Sequence, residues 1–250
     1  MKNRGLSGAA LKWIALVTML IDHIGLIVVY QALICERSLW VNGALMWLYA
    51  WLRSVGRLAL PIFCFLLAEG FRHTRSRGRY LLRLAVFALL SEIPFDLAVN
   101  RCLLEFSSQN VFFTLLLGLA GIWAWEYFTG GKPKGCGLPR LLAALACMAA
   151  AVWTAKLLGT DYGALGVLLI LVFCLLRERV WLRDLCAALI FCGMIRLDGN
   201  WWIELFALLA LPLLHLYNGE RGRQAKYFFY CFYPGHLLLL CLLRWLLLRA

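Results

Sequence analysis

Charged residues are scarce in this chain of 250 residues: Asp, Glu, Lys and Arg make up 15%, whereas hydrophobic residues make up 64%. Soluble domains contain about 25% charged and about 45–50% apolar residues. A chain with so little polar surface cannot face water on all sides. The composition therefore excludes an ordinary soluble domain and predicts an integral membrane protein.

Several functional signatures are also absent. None of the ten cysteines forms a CxxC pair and no His cluster accompanies them, so no metal or thioredoxin-type site is expected. The chain has no Walker loop, HExxH motif or GxSxG motif, so the sequence gives no support for an ATPase, a zinc protease or a serine hydrolase. It also lacks the basic–aromatic module of nucleic-acid binding, in spite of its net charge of +12.

Long apolar blocks account for the excess of hydrophobic residues. They predict an all-α, polytopic transmembrane helical bundle of about nine spans (eight to ten), forming a single domain over residues 1–250. Residues 39–52 are apolar but short, and suit an interfacial or re-entrant helix, or a tenth span. The nine blocks cover residues 11–34, 54–71, 81–99, 110–128, 138–157, 161–176, 181–197, 201–217 and 229–248.

Basic residues in the gaps between these blocks set the expected orientation. With nine spans and a cytoplasmic N-terminus, most of the 25 Lys and Arg fall on the cytoplasmic side, as the positive-inside rule requires. An additional span at 39–52 would place the N-terminus and the segment Arg72–Arg83 on opposite sides. Cys35 and Cys102 both fall in predicted outer loops, where a disulfide is an open alternative.

Ionisable residues inside apolar blocks are costly, and they usually face a cavity or a partner. Asp22 and His23 interrupt the first block, and His23 lies about 16 Å beyond Lys12 along a helix. Neighbours on a helix point about 100° apart, so the two side chains are expected to contact different helices. His23 suits a general base, whereas the alternative is a hydrogen-bonded pair that holds helices together.

Two further blocks carry charged residues at helical spacing. Glu69 and His73 share one helix face near the predicted cytoplasmic end, and Arg57 lies toward the other end of the same block, with Pro61 expected to kink the helix between them. Each is a candidate for substrate binding or for a structural role.

In the block 81–99, Glu92 and Asp96 are also four residues apart, with Pro94 between them. Two like charges on one face need a cation, a shared proton or a water-filled cavity, and Arg57 is a candidate partner.

Polar residues at the starts of later helices complete the candidate set. Asn110 and Asp161 stand where helix N-caps belong, although Asn110 is also a candidate site residue. Tyr233 and His236 flank Pro234–Gly235, which is expected to break the last helix, so His236 suits either a cavity or an interfacial aromatic belt. The five arginines of Arg72–Arg83 suit phosphate or lipid headgroups, although the positive-inside rule alone explains their presence in a cytoplasmic loop.

Six segments resemble the TraX family in order and over nearly the whole chain. The segments are LKWIALVTMLIDHIG, GRLALPIFCFLLAEGFRHTR, YLLRLAVFALLSEIPFDLA, QNVFFTLLLGL, DYGALGVLLIL and FFYCFYPGHLLLL. The first two of these are the most specific to the family. This family is known for acetylating the N-terminus of F-type pilin, and it is similar to a wider group of polytopic membrane acyltransferases. The resemblance implies a bacterial-type cytoplasmic (inner) membrane location and acetyl-CoA, or another acyl-CoA, as co-substrate.

The resemblance also implies that His23 is the catalytic residue, with Asp22 beside it. An acceptor amine or hydroxyl would lose a proton to His23, and Arg57 or a backbone donor near a proline would stabilise the oxyanion. The expected partners are the bilayer, the acyl-CoA and an unidentified peptide amine, sugar or lipid headgroup. A multi-pass transporter and a non-catalytic membrane scaffold are the alternatives, since buried charges and broken helices suit both.

Overall fold

The structure is a computed structural model that describes residues 5–35, 38–131, 135–198, 201–223 and 226–249. Within these ranges the chain is helical apart from turns and two isolated β-bridges, as the composition predicts. The α-helices are α1 Gly8–His23, α2 Tyr30–Cys35, α3 Leu39–Gly56, α4 Ala59–His73, α5 Arg77–Phe95, α6 Val111–Thr129, α7 Leu138–Leu157, α8 Gly163–Leu175, α9 Val180–Asp198, α10 Trp201–Leu205, α11 Ala210–His215 and α12 Lys226–Arg249.

Three short irregular helices connect some of these elements. The π-helical segment Ile24–Val29 joins α1 to α2, so that Gly8–Cys35 is one helical run. A second π-helical segment, Asp96–Asn100, extends α5, and a 3₁₀ turn at Phe206–Leu209 separates α10 from α11. Wide π turns occur often at functional sites, which directs attention to the residues around them.

Residues 39–52 form part of a long helical run. They belong to α3, and the helical run Trp40–His73 contains 34 residues. The short segment at 39–52 is thus part of a helix of its own, and whether it spans the membrane or lies at its interface stays a prediction. A tight turn at Arg57 and Leu58, with hydrogen bonds to the carbonyls of Ser54 and Val55, divides the run between α3 and α4.

The three prolines expected to disturb helices have different effects. Pro61 lies in the first turn of α4, where its missing N–H costs little, and the block 54–71 is interrupted just before it, at the turn of Arg57 and Leu58. Pro94 lies inside α5, and the helix widens into its π-helical extension two residues later. Pro234 lies inside α12, which continues through Gly235 to Arg249, so the expected break in the last helix is wrong.

Among the residues that the structure describes, five helical runs are long and apolar enough to cross a membrane: Gly8–Cys35, Trp40–His73, Val111–Thr129, Leu138–Leu157 and Tyr227–Leu247. Two apolar helices, Gly163–Leu175 and Trp202–His215, are shorter. The number of crossings and the cytoplasmic position of the N-terminus stay predictions from the sequence. Cys35 and Cys102 both carry free thiols.

The chain divides into two compact units. The first contains the described residues of Met1–Phe63, Ile93–Leu104 and Phe191–Ala250. In this unit α1 packs against α3 and α12, and both π-helical segments pack against α12 and against each other. Its buried apolar core includes Leu11, Ala15, Ile27, Ile62 and Leu237. The helices that carry Asp22, His23 and His236 therefore meet within this unit.

The second unit contains Cys64–Glu92 and the described residues of Glu105–Ile190. Here α6 packs against α7 and α8, which also contact each other. Phe65 and Phe173 meet edge to face with ring centroids 5.9 Å apart, and Leu119, Ile122 and Ile170 are fully buried in the same unit. This unit is held chiefly by apolar packing.

Asn110 is the main polar connection inside the second unit. Its side-chain oxygen accepts a hydrogen bond from the N–H of Phe112 at 3.0 Å, so the prediction of an N-cap is confirmed. Its amide nitrogen donates to the carbonyl of Ala88 at 2.8 Å and to the carboxylate of Glu92. At the start of α8 the cap is Tyr162, with a φ of 60°, so the cap expected at Asp161 is wrong.

Asn110→Asp tests this connection because it keeps the capping oxygen but replaces the donor with an acceptor that faces Glu92 and a carbonyl. We expect Asn110→Ala to destabilise the protein by about 2–4 kcal/mol through the lost cap and two lost buried hydrogen bonds. Asn110→Asp should be at least as destabilising. The midpoint of thermal unfolding in detergent measures both, and a fully stable Asn110→Asp protein would contradict the donor role.

Candidate functional site

Two buried histidines from α1 and α12 meet in the first unit. The Nδ1 atom of His23 lies 2.7 Å from the Nε2 atom of His236, and their ring centroids are 4.8 Å apart. The Nδ1 atom of His236 lies 2.7 Å from the carbonyl oxygen of Phe232 on the same helix, and the Phe232 ring stacks on the imidazole. His236 is therefore held in one orientation by its own helix.

These contacts fix the hydrogen positions on both neutral rings. A carbonyl oxygen can only accept, so Nδ1 of His236 carries a hydrogen and donates it to Phe232. Nε2 of His236 is then an acceptor, and Nδ1 of His23 donates to it. The lone pair of His23 consequently lies on Nε2, which has no hydrogen-bond partner among the residues of this structure. That nitrogen is the basic atom of the pair.

Asp22 points to a different helix from His23, as the sequence predicts. Its Oδ2 atom accepts a hydrogen bond from Arg53 of α3 at 2.5 Å, and its Oδ1 atom is buried without a hydrogen-bond partner in the described chain. Gly56 makes this approach possible. A Cβ atom on Gly56 would lie 2.2 Å from Oδ1 and from the Cβ atom of Asp22, so a larger residue would displace the carboxylate.

A second buried ion pair adjoins the break between α3 and α4. Nε of Arg57 lies 2.6 Å from Oε1 of Glu204 in α10, and both side chains are almost completely buried. The charges of Arg53 and Arg57 both act on Asp22. The ion pair found for the Arg57 guanidinium is thus with Glu204, which the sequence reasoning overlooked. The suggested contact of Arg57 with Glu92 and Asp96 stays a prediction.

The remaining first-unit candidates lie around α12. Tyr233 meets His23 edge to face, with ring centroids 6.0 Å apart, and is buried. Asp96 is buried at the start of the second π-helical segment and accepts a hydrogen bond from Asn100 at 2.9 Å. Arg244 of α12 donates to the carbonyls of Leu97 and Ala98, each at 2.9 Å, and so anchors α12 on that segment.

The other four candidates belong to the second unit and have structural contacts there. Glu69 pairs with Arg72 at 2.9 Å and lies 3.7 Å from Nε2 of His73, whose side chain is 63% exposed. Glu92 binds Asn110 in the inter-helix connection described above. Their roles as substrate-binding residues stay predictions.

Sequence reasoning missed three residues that shape the first-unit site. Arg53 and Glu204 supply the ion-pair partners of Asp22 and Arg57, and Gly56 supplies the space for Asp22. Glu204 carried the same signal as Asp22, since it is an acidic residue inside an apolar block. The role of Gly56 had no signal in one sequence, because it depends on which helix approaches that face.

Long apolar helices joined by buried ion pairs and a histidine pair define a helical membrane protein with a buried polar centre. The chain belongs to the TraX family, because the model of that family, described as TraX protein, matches residues 7–244. The chain is also 28% identical to the probable fimbrial assembly protein FimC, serogroup H1, of Dichelobacter nodosus, over 96% of each chain. No solved structure matches it.

Gly56→Ala tests the close approach of α3 to Asp22. We expect a loss of about 1–3 kcal/mol in stability, because the new methyl group has no space unless the helices separate. Gly43→Ala is a matched control in the same helix, since a Cβ atom there meets nothing within 4 Å. Alanine at that position should be neutral or stabilising. Equal thermal midpoints for the two variants would refute the packing argument.

Proposed function

We propose that the protein is a membrane acetyltransferase that moves an acetyl or other short acyl group from acyl-CoA to an amine or hydroxyl acceptor. Membership of the TraX family and the name of the fimbrial relative support a role connected with pilin. The single observation that carries the chemical proposal is the histidine pair, which leaves the lone pair of His23 on Nε2.

The proposed reaction needs one base that first takes and then returns a proton. Nε2 of His23 accepts a proton from the acceptor as its nitrogen or oxygen attacks the thioester carbon. The new N–C or O–C bond forms and the carbonyl oxygen becomes an oxyanion. When the tetrahedral intermediate collapses, the C–S bond breaks, and His23 returns the proton to the departing sulfur to give free CoA.

His236 acts as a positioning residue in this scheme. By accepting the hydrogen on Nδ1 of His23, it keeps the lone pair on the opposite nitrogen, where an acceptor is to be deprotonated. When Nε2 takes a proton, the Nδ1 hydrogen bond to His236 becomes charge-assisted and strengthens. The same contact therefore orients the base before the reaction and stabilises its protonated form during it.

Asp22 and the two arginines supply the charges around the base. The unpartnered Oδ1 of Asp22 suits an acceptor ammonium or hydroxyl group, because a buried carboxylate oxygen is stabilised by a donor. Arg53 and Arg57 are held by carboxylates, and their positive charges favour a developing oxyanion. Tyr233 and Asp96 stay candidates for shaping the acceptor pocket.

The acceptor proposed first is the N-terminal amine of a pilin-type protein. That choice rests on the family and on the name of the relative FimC, a probable fimbrial assembly protein. A sugar or lipid hydroxyl is the alternative acceptor. In either case the protein acts in the bacterial cytoplasmic membrane, with acyl-CoA as its co-substrate.

His23→Ala tests the base directly. In protein reconstituted in nanodiscs, we expect transfer of a labelled acetyl group from acetyl-CoA to pilin-type peptides to fall about 10²–10⁴-fold. His215→Ala is the matched control, since His215 is an exposed histidine of the same unit and should leave transfer unchanged. Full activity of a folded His23→Ala protein would exclude the proposed base.

The rival functions give different results in the same preparation. A transporter should move its substrate across a vesicle membrane without any thioester and without releasing CoA. A scaffold should show no turnover in the wild-type protein, and the Asp22 and His23 variants should change only the folded yield. Release of free CoA that depends on the acceptor distinguishes the transferase from both.

Two replacements of His236 separate positioning from folding. In His236→Gln, the side-chain carbonyl oxygen is expected to take the place of Nε2 and to keep accepting from His23. In His236→Ala, no acceptor remains and the lone pair is free to move to the other nitrogen. We expect kcat to fall about 10²-fold or more for alanine but less than about tenfold for glutamine, with KM unchanged. Equal losses in both variants would contradict the positioning role.

A further inference from the structure

Helices α1 and α12 begin at the same end of the first unit and run parallel. Trp13 near the start of α1 contacts Phe228 and Phe229 near the start of α12, with ring centroids 5.4 and 5.6 Å apart. Farther along both helices, His23 meets His236. The two helices therefore connect one end of the unit directly to the histidine pair.

A loop from the end of α11 covers the start of α1. The N–H groups of Gly8 and Ala9 donate to the carbonyls of Glu220 and Arg221 at 2.8 and 3.0 Å. Gly222 adopts a φ of +67° and lies so close to Ser7 that a Cβ atom would be 2.8 Å from its hydroxyl. This turn holds Arg221 beside the first turns of α1.

Cations and aromatic rings gather where this loop meets the two helices. The backbone of Arg221 binds Ala9, three residues before Lys12 in the first turns of α1, and Nζ of Lys12 is 5.2 Å from the centroid of the Phe229 ring. Trp13 is 48% and Phe228 is 44% exposed beside them. Two cations favour phosphate groups, and exposed aromatic rings favour stacking with a nucleobase.

Aromatic side chains continue from this cluster to the histidine pair along one face of α12. Phe228, Phe232 and His236 are spaced four residues apart and therefore lie on one side of the helix. The ring centroids of Phe228 and Phe232 are 5.8 Å apart, and those of Phe232 and His236 are 4.9 Å apart. This apolar strip suits the uncharged arm of a ligand whose head is a nucleotide.

The distances match the dimensions of acyl-CoA. Eleven residues of helix separate Lys12 from His23, which corresponds to about 16 Å. The pantetheine arm between the phosphate and the sulfur contains about as many bonds as four residues of backbone, so it extends to about 14 Å. The thioester carbon lies one bond beyond the sulfur. Phosphates bound at Lys12 thus place the thioester within reach of His23.

We propose that Lys12 and Arg221, together with Trp13 and Phe228, form the binding site for the nucleotide end of acyl-CoA. This proposal rests on the acyltransferase function proposed above and assigns its donor site. The arginines of Arg72–Arg83 are the rival site for these phosphates, and two of them, Arg72 and Arg77, pair with Glu69 and Glu126. The phosphates of acyl-CoA, rather than those of lipid headgroups, are the assigned ligand.

The test compares two acetyl donors on the wild-type protein and on Lys12→Gln, Arg221→Gln and the double variant. Acetyl-CoA carries the phosphates, whereas S-acetyl-pantetheine has the same reactive arm without them. For acetyl-CoA we expect KM to rise roughly three- to tenfold in each single variant and about 10–30-fold in the double variant, with kcat nearly unchanged. For S-acetyl-pantetheine, kcat/KM should be the same in all proteins.

Two additional variants locate the effect. Arg140→Gln removes an exposed arginine of the second unit and should leave both donors unaffected. Arg79→Gln represents the rival segment, and a rise in the acetyl-CoA KM in that variant alone would overturn the proposal. Assays in phosphatidylcholine nanodiscs, with and without phosphatidylglycerol, identify lipid headgroups. An effect that requires phosphatidylglycerol and appears with both donors would also overturn it.

The result remains decisive if the wild-type protein shows no turnover. Equilibrium binding of CoA by calorimetry then compares the wild-type protein with the double variant. Binding that is weakened by the double variant would support the phosphate site although the acyltransferase proposal fails. Normal turnover with an unchanged acetyl-CoA KM in the double variant would retain the acyltransferase and refute only this site.

Discussion

The structure of the first unit depends on the cost of burying polar groups among apolar helices. A buried charge or ring nitrogen is destabilising unless it finds a partner, so each such group selects the helix beside it. Asp22 selects α3 through Arg53, His23 selects α12 through His236, and Arg57 selects α10 through Glu204. Apolar packing alone leaves helices free to rotate, whereas these pairs fix which face of each helix turns inward.

This constraint explains what the sequence could predict and what it could not. Hydrophobic blocks predict most helices to within a few residues, because a run of apolar residues is a local property. The same reasoning identified Asp22 and His23 as buried polar residues and predicted that they contact different helices. It could not identify Arg53 as the partner of Asp22 or Glu204 as the partner of Arg57, because pairing depends on how distant segments pack. It placed the boundary between the segment 39–52 and the next block a few residues too early, since the chain turns at Arg57 and Leu58.

Asp22 and His23 show how structural and functional roles become connected. The ion pair with Arg53 fixes the rotation of α1, and this rotation directs the next residue, His23, toward α12. A change at Asp22 therefore alters both a charge near the base and the direction in which the base points. For this reason conservative replacements, which keep the volume or one hydrogen-bonding atom, are more informative here than alanine.

The partner of His23 also has a physical consequence for a reaction inside a membrane protein. A carboxylate bound to Nδ1 would orient the imidazole equally well, but it would add a second buried charge beside Asp22, with a large desolvation cost. A neutral histidine provides the same acceptor without that charge. The hydrogen bond from Nδ1 of His236 to the carbonyl of Phe232 fixes the tautomer in which Nε2 is the acceptor. In the proposed transfer, a neutral histidine pair allows His23 to act as a base where water is excluded, and exclusion of water favours transfer to an acceptor over hydrolysis of the thioester.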